Sequence, residues 1–389
     1  MRRCRALLAA SVAVLVSACT SGAAAGHASP ATTASTAPNP ASTPLPPCVS
    51  ASTSPAAPPG ATSPGLLWTI ASGLKQPDDL LFSGGKLLVA LLGPGVIEVL
   101  TPGGPTATLP VHIPSVEGMV YIGSKLYAAG QAQDVVDEID GVQLRTVLQL
   151  VPVPGLDGVD GIGTQGGLLI VPDSPRGVID WVDPASGRIT RQLGGFVRPT
   201  GVWPALDGAL LVADEFGNAA YRIAPDGSRT ALVRGLPIVD DIAEDSLGAV
   251  FVVTPAASGG RLAQLVDGSA VDLASRLRAP QGLVVDSADN LYFSEEDAGR
   301  VDLLIRNFKL VPLQTVADSP TQPVCVDIAR AAGFTGAVTL QGSTGLRVVQ
   351  QAGEGNRGAV LVTGCQASPC QLTADSGTRH DTLWIQAQA

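Results

Sequence analysis

The chain has 389 residues, 45% of them hydrophobic and only 15% charged, with 24 basic against 34 acidic side chains and a net charge of −10. A balance this acidic excludes nucleic acid and anionic membrane surfaces as electrostatic partners, and leaves divalent cations or cationic partners. The 45 glycines and 31 prolines punctuate short apolar runs, and helical patterns of useful length are hard to find, so the expected class is all-β.

In chain order, Arg2, Arg3 and Arg5 precede an apolar stretch, 6–16, interrupted only by Ser11. That stretch is too short to span a bilayer, and residues 1–18 read as a secretory signal peptide. The tetrapeptide VSAC (16–19) resembles the lipobox of bacterial lipoproteins. The resemblance implies a lipidated Cys19, and a chain anchored to the outer face of the bacterial cytoplasmic membrane, in the cell envelope. Ordinary cleavage before Cys19, giving a free secreted protein, is the alternative. Nothing later is long and apolar enough for a transmembrane helix, so the anchor would be lipid alone. Residues 19–64 are nearly all Ala, Ser, Thr, Pro and Gly, which offer too little apolar side chain to offset ordering entropy. They are expected to form a disordered tether with a reach of about 40 Å.

Beyond Cys4 and Cys19, four cysteines remain: Cys48, Cys325, Cys365 and Cys370. An even number in an exported chain reads as two disulfides, with three pairings open. The favoured pair is Cys365–Cys370, within CQASPC, which leaves Cys48–Cys325 to tie the tether to the C-terminal segment. No CxxC…CxxC zinc pattern occurs.

The main body is periodic. Six turns share a short motif: PDDL (77–80), VEGM (116–119), VDGI (159–162), PTGV (199–202), VDDI (239–242) and PQGL (280–283). Their third residues, Asp79, Gly118, Gly161, Gly201, Asp241 and Gly282, are spaced by 39, 43, 40, 40 and 41. Each turn is followed by further strand-like runs, such as KLLVA, GVIEVL and TATLP in the first unit. Four short strands per unit of roughly 40 residues is the signature of a β-propeller blade, and six units predict six blades over 65–316. LLWTIASGLKQPDD (66–79) matches RTALVRGLPIVDD (229–241), an outer strand leading into a turn, so it is expected to complete the sixth blade and close the ring. The period breaks after Val316, and 317–389 reads as a small β appendage stapled by cysteines, either independent or packed on the propeller.

The stretches PTGVWPALDGALLVADEFGN and PQGLVVDSADNLYFSEEDAGR resemble NHL-type propellers and the SMP-30/gluconolactonase family over about 66–316. That family holds a divalent metal with a Glu in an EGP turn, an Asn in a PNG turn and an Asp at a second-strand end. The resemblance therefore implies Ca²⁺ or another divalent cation that activates water or polarises a lactone carbonyl. Glu117 matches the first position, although Met119 replaces the proline, and Asp214 matches the aspartate. Thr200 stands where the asparagine would be, and Gln281 where a later aspartate turn is expected.

Antiparallel strand order brings the six turns and the second-strand ends to one mouth of the channel. The first ring is Asp78, Glu117, Asp160, Thr200, Asp240 and Gln281, and the second includes Asp173, Asp214, Glu215, Glu295 and Glu296. So many carboxylates repel unless a cation sits among them or some are protonated. Glu117, Asp160, Asp214 and Asp240 are the candidate metal ligands, and Asp78, Asp173, Thr200, Glu215, Gln281 and Glu295 complete the channel face. An Asp at a strand end also commonly accepts backbone N–H bonds with no metal, which is the competing reading of Asp214. The three histidines, His27, His112 and His380, are not placed to work together. Histidine metal sites, Ser-His-Asp catalysis and a streptogramin-lyase-like chemistry are disfavoured. Two functional readings stand. The preferred one is a non-catalytic, anchored propeller binding a ligand or protein partner at its acidic face, because the ligand pattern is incomplete while the repeat is intact. The alternative is a Ca²⁺-dependent lactonase- or esterase-type hydrolase.

Overall fold

Strands rich in apolar residues on both faces belong between other strands, and those that alternate belong at an edge. The computed structural model follows that rule within each repeat. It describes residues 61–63, 65–101, 106–256, 259–312, 316–317, 324–350, 357–363, 365 and 370–387. The signal segment, Cys19, the tether through residue 60 and Cys48 lie outside the described residues.

Six four-stranded antiparallel sheets follow one another as blades. Three of the second strands, Leu210–Asp214, Val250–Thr254 and Leu291–Glu295, are buried throughout, and the other three are buried after their first residue. The outer strand Arg188–Gly194 instead alternates exposed and half-buried positions. Closure is as expected: Leu66–Ser72 pairs antiparallel with Arg300–Ile305, the third strand of the last blade. Just ahead of it, Thr62 bridges Ser275 on the outer strand of blade 5, with Thr62 N donating to Ser275 O at 3.0 Å.

The inner strands bend at the repeat motif. Register shifts lie between Pro77 and Leu80, Val116 and Met119, Pro199 and Val202, and Pro280 and Leu283. In each case two residues face one on the neighbouring strand, which is a β-bulge, a device that re-aims side chains. Asp78, Glu117, Thr200 and Gln281 are the first bulge residues of these four blades. Glycine at the second position follows from crowding at the axis. A Cβ on Gly118 would overlap Ile162 N, and one on Gly282 would overlap Asp78 O and Asp79 Cα of the next blade.

Two blades carry Asp at that position, and the carboxylates staple adjacent blades. Asp79 accepts from Leu80 N at 2.7 Å and, across the blade boundary, from Met119 N at 3.1 Å. Asp241 does the same with Ile242 N at 2.8 Å and Leu283 N at 2.7 Å. Both are turn and staple residues.

The appendage begins earlier than the sequence period suggested. Phe308–Pro312 pairs with Val324–Arg330 in one four-stranded sheet, and Arg379–Ala387 lies in a second. The reason is local: FKLVP continues the apolar rhythm of blade 6 but pairs away from it. The appendage packs on the propeller rather than standing free. Its core includes Ala288 of blade 6, and Lys309 Nζ sits buried between Asp381, at 2.6 Å, and Asp286 of blade 6, at 3.3 Å. Cys365–Cys370 is a disulfide as expected, and Cys325 is also disulfide-bonded. Among the described residues no helix is long and apolar enough to cross a membrane.

Candidate functional site: the acidic mouth of the channel

Bulges and blade-to-blade turns together bring Asp78, Asp160, Asp240 and Gln281 around a cavity of about 10 Å³, room for roughly one water molecule. Glu117 is beside them and 4% exposed. Asp78, Asp160 and Asp240 keep part of their surface at the mouth, yet burial is the largest influence on all of them. It pushes the carboxyls of Asp78, Glu117 and Asp240 well above the usual range, and the nearby negative charge of Asp160 pushes them further. Glu117 also hydrogen-bonds Asp160, in the sense that keeps the proton on Glu117. Its Oε2 has no hydrogen-bond partner among the described residues.

The cation at this mouth belongs to the chain. Arg198 Nη2 donates to Asp160 Oδ2 at 3.0 Å, and its Nε donates to Glu215 Oε2 at 2.5 Å. The guanidinium side chain is 14% exposed and stands 5.5 Å from the Phe216 ring centroid. Burial works against its charge, but Asp160 and Glu215 outweigh that and hold it more firmly protonated. Burial likewise raises Glu215 to about 7, with Arg198 pulling the other way.

The second-strand acids divide into two groups. Asp214 is 2% exposed and serves the loop before the fourth turn: Oδ1 accepts from Val197 N at 3.0 Å and from Arg198 N at 2.8 Å. Glu295 repeats the device in blade 6, accepting from Arg278 N at 2.5 Å while also pairing with buried Arg300. Asp173 binds Arg176 at 3.1 Å. These three are turned into their blades. Glu215 and Glu296 are the ones that reach the ring. Glu296 accepts from Gln281 Nε2 at 2.9 Å and from Gln76 Nε2 at 2.8 Å.

The donor set does not compose a metal centre. Thr200 Oγ1 donates to the Asp240 carbonyl at 2.6 Å, Asp214 is spent on backbone N–H groups, and Asp160 faces a guanidinium. Among the described residues, no group of three or more His, Cys, Asp or Glu is placed to hold an ion. A cation partner for Asp160 was expected from outside, and sequence reasoning missed Arg198. A signal existed: three positions before the bulge Gly or Asp, the six repeats read Gln76, Ser115, Gly158, Arg198, Ile238 and Ala279, a single basic residue.

No family model matches the sequence, and no curated protein matches it. Solved structures do. A gluconolactonase from Xanthomonas campestris aligns with a TM-score of 0.52 at 14% identity, over 64% of this chain and 97% of that one. A luciferin-regenerating enzyme aligns at 0.50 and 11% identity, over 62% and 95%. A virginiamycin B lyase from Staphylococcus aureus, solved with quinupristin, aligns at 0.48 and 15% identity, over 76% and 99%. What is shared is the β-propeller fold. The resemblance carried by the repeat motifs holds at that level, and a propeller fold hosts many chemistries.

Proposed function

We propose that this chain is a non-catalytic β-propeller, anchored through Cys19 at the outer face of the cytoplasmic membrane, that binds a protein partner over its acidic channel mouth. The observation that carries this reading is the state of the mouth: about 10 Å³ of free space, with Arg198 already on its carboxylates. The mouth itself has no room for a buried small molecule, since the channel's larger cavity, about 260 Å³, lies along the inner strands among Met119, Ile162, Val202, Trp203 and Leu283, whereas a partner can lie across the rim. The rim suits one. Val151 (74% exposed), Leu156 (58%), Val197 (62%) and Phe216 (59%) all stand on loops of this face, between and beside blades 3 and 4. Several large apolar side chains exposed on loops of one face are the kind of surface that marks an interaction site.

A divalent-metal hydrolase is the second reading, and the unpartnered Glu117 Oε2 is the feature in its favour. Ca²⁺ or another divalent cation would then be its cofactor.

Photo-crosslinking tests the first reading. A benzophenone side chain at Phe216, in cells of the native host, should give one discrete adduct, and Leu156→Asp should abolish it. The same label at Leu247, in a turn at the opposite end of the channel, should give none. Equal labelling from both positions, or none from Phe216, overturns the assignment.

A further inference from the structure

We infer that Arg198 is the resident cation of the channel mouth, a tethered guanidinium that does the electrostatic work a divalent ion would do and keeps the site metal-independent. The inference rests on local backbone geometry. In blades 1, 2, 5 and 6, the residue three places before the bulge Gly or Asp is left-handed: Gln76 at φ 51°, Ser115 at 49°, Ile238 at 52° and Ala279 at 49°. Arg198, like Gly158 of blade 3, is not. Asp214 Oδ1 takes the N–H groups of both Val197 and Arg198, so a buried carboxylate sets the backbone here. Glu215 N then donates to Arg198 O at 2.8 Å, which closes the loop. The side chain that leaves this anchored backbone has one destination, between Asp160 and Glu215.

That destination is where a positive charge is needed. Asp160 accepts from Arg198 Nη2 at 3.0 Å, and its negative charge adds to burial in raising Asp78, Glu117 and Asp240. A guanidinium presents its donors in a planar fork and is more weakly hydrated than an ammonium, so it can bridge two partly buried carboxylates at modest desolvation cost. The adjoining hole, which shares Asp160 with it and is lined also by Asp78 and Asp240, has room for about one water molecule. Ion binding would require the guanidinium to leave or would put two cations side by side.

Arg198→Ala is therefore expected to leave Asp160 and Glu215 without a counter-charge, so that a divalent ion takes the guanidinium's place beside the unpartnered Glu117 Oε2 once the three carboxylates, which are not arranged as a ligand set in the wild type, rearrange around it. The experiment compares melting temperatures of the full-length protein in EDTA and in millimolar CaCl₂, with NaCl of equal ionic strength as the control. The wild type and Arg198→Lys should show no calcium-specific shift. Arg198→Ala should melt lower than the wild type in EDTA and recover by about 3 °C or more in calcium. Adding Glu117→Gln to Arg198→Ala should remove that recovery. If Arg198→Ala does not fold, Arg198→Gln, which keeps most of the stem, is read by the same criteria. A calcium-specific shift in the wild type overturns the inference, as does the failure of the Arg198 variant to acquire one. Neither result depends on a protein partner, so the binding reading above stands or falls separately.

Discussion

Asp214 carries two possible roles in the sequence, metal ligand or turn former, and its hydrogen bonds choose the second. A carboxylate that accepts two adjacent N–H groups while 2% exposed is structural, and its value lies in positioning Arg198. Asp214→Ala would remove the acceptor these two N–H groups share. We expect it to destabilise the chain by about 1–3 kcal/mol in denaturant melts, about the cost of one buried unmet group, because the partly buried loop lets water reach part of the site. Asp214→Asn, whose side-chain oxygen still accepts, should lose less. A neutral effect for Asp214→Ala would show that the loop finds other partners. The residue-level reading of the ring was legible only in part. The acids were visible in the repeat, but which of them turn inward depends on the bulge geometry and on neighbours about 16 residues distant in sequence, such as Arg198 for Asp214.

At the scale of elements, the strand assignments followed from pattern because each blade repeats the same gradient, from a bulged inner strand to an alternating outer one. The closing strand is the element with the greatest leverage. Leu66–Ser72 covers the edge of Arg300–Ile305 and buries Leu67 and Trp68 against two different blade interfaces. Without it, blade 6 would expose a full strand edge, the usual template for aggregation. A chain lacking residues 61–72 should lose its single cooperative thermal transition and aggregate on purification, seen by calorimetry and size-exclusion chromatography. A monomeric, cooperatively melting product would mean the ring is held elsewhere. The appendage boundary was less legible. Phe308–Pro312 looks like one more blade strand, and only its pairing with Val324–Arg330 assigns it to the appendage.

For the whole molecule, the concentration of buried carboxyls makes stability depend on pH in an uncommon direction. Burial raises Asp79 to about 7 and Glu215 to about 7, and lifts Asp78, Glu117, Asp240 and Asp241 well above the ordinary range. A group with a raised folded value binds more protons folded than unfolded. Its contribution is complete below the unfolded value near 4 and is lost as pH rises through the folded one. Groups with lowered values, such as Glu138 at about 2, have finished contributing by about pH 5. The melting temperature should therefore fall between about pH 5 and about pH 8. Asp240→Asn should flatten that slope and raise the melting temperature at the alkaline end, because a neutral amide replaces an acid whose ionisation is opposed by burial and by Asp160. A melting temperature that climbs over the same range would contradict the burial argument. The Lys309–Asp286–Asp381 cluster joins appendage to blade 6 with buried opposite charges, and removing one partner of such a group leaves the others uncompensated. The two parts should consequently melt together in the same experiment.

The six-fold repeat, the closing strand and the acidic character of one channel mouth were determined by the sequence alone, which favoured the Cys365–Cys370 pair among three pairings. Each rests on periodicity, local pairing distance or composition, which a linear string carries in full. The tertiary structure decided which acids face the mouth, which staple blades together, and that Arg198 lies between Asp160 and Glu215. Those outcomes depend on residues distant in sequence, up to 38 positions apart in that ion pair, meeting at a crowded axis. Burial there changes both the charge a side chain keeps and the partners it can reach. PTGVWPALDGALLVADEFGN encodes a blade by its rhythm, and the arginine just before it acquires its place only when the ring closes.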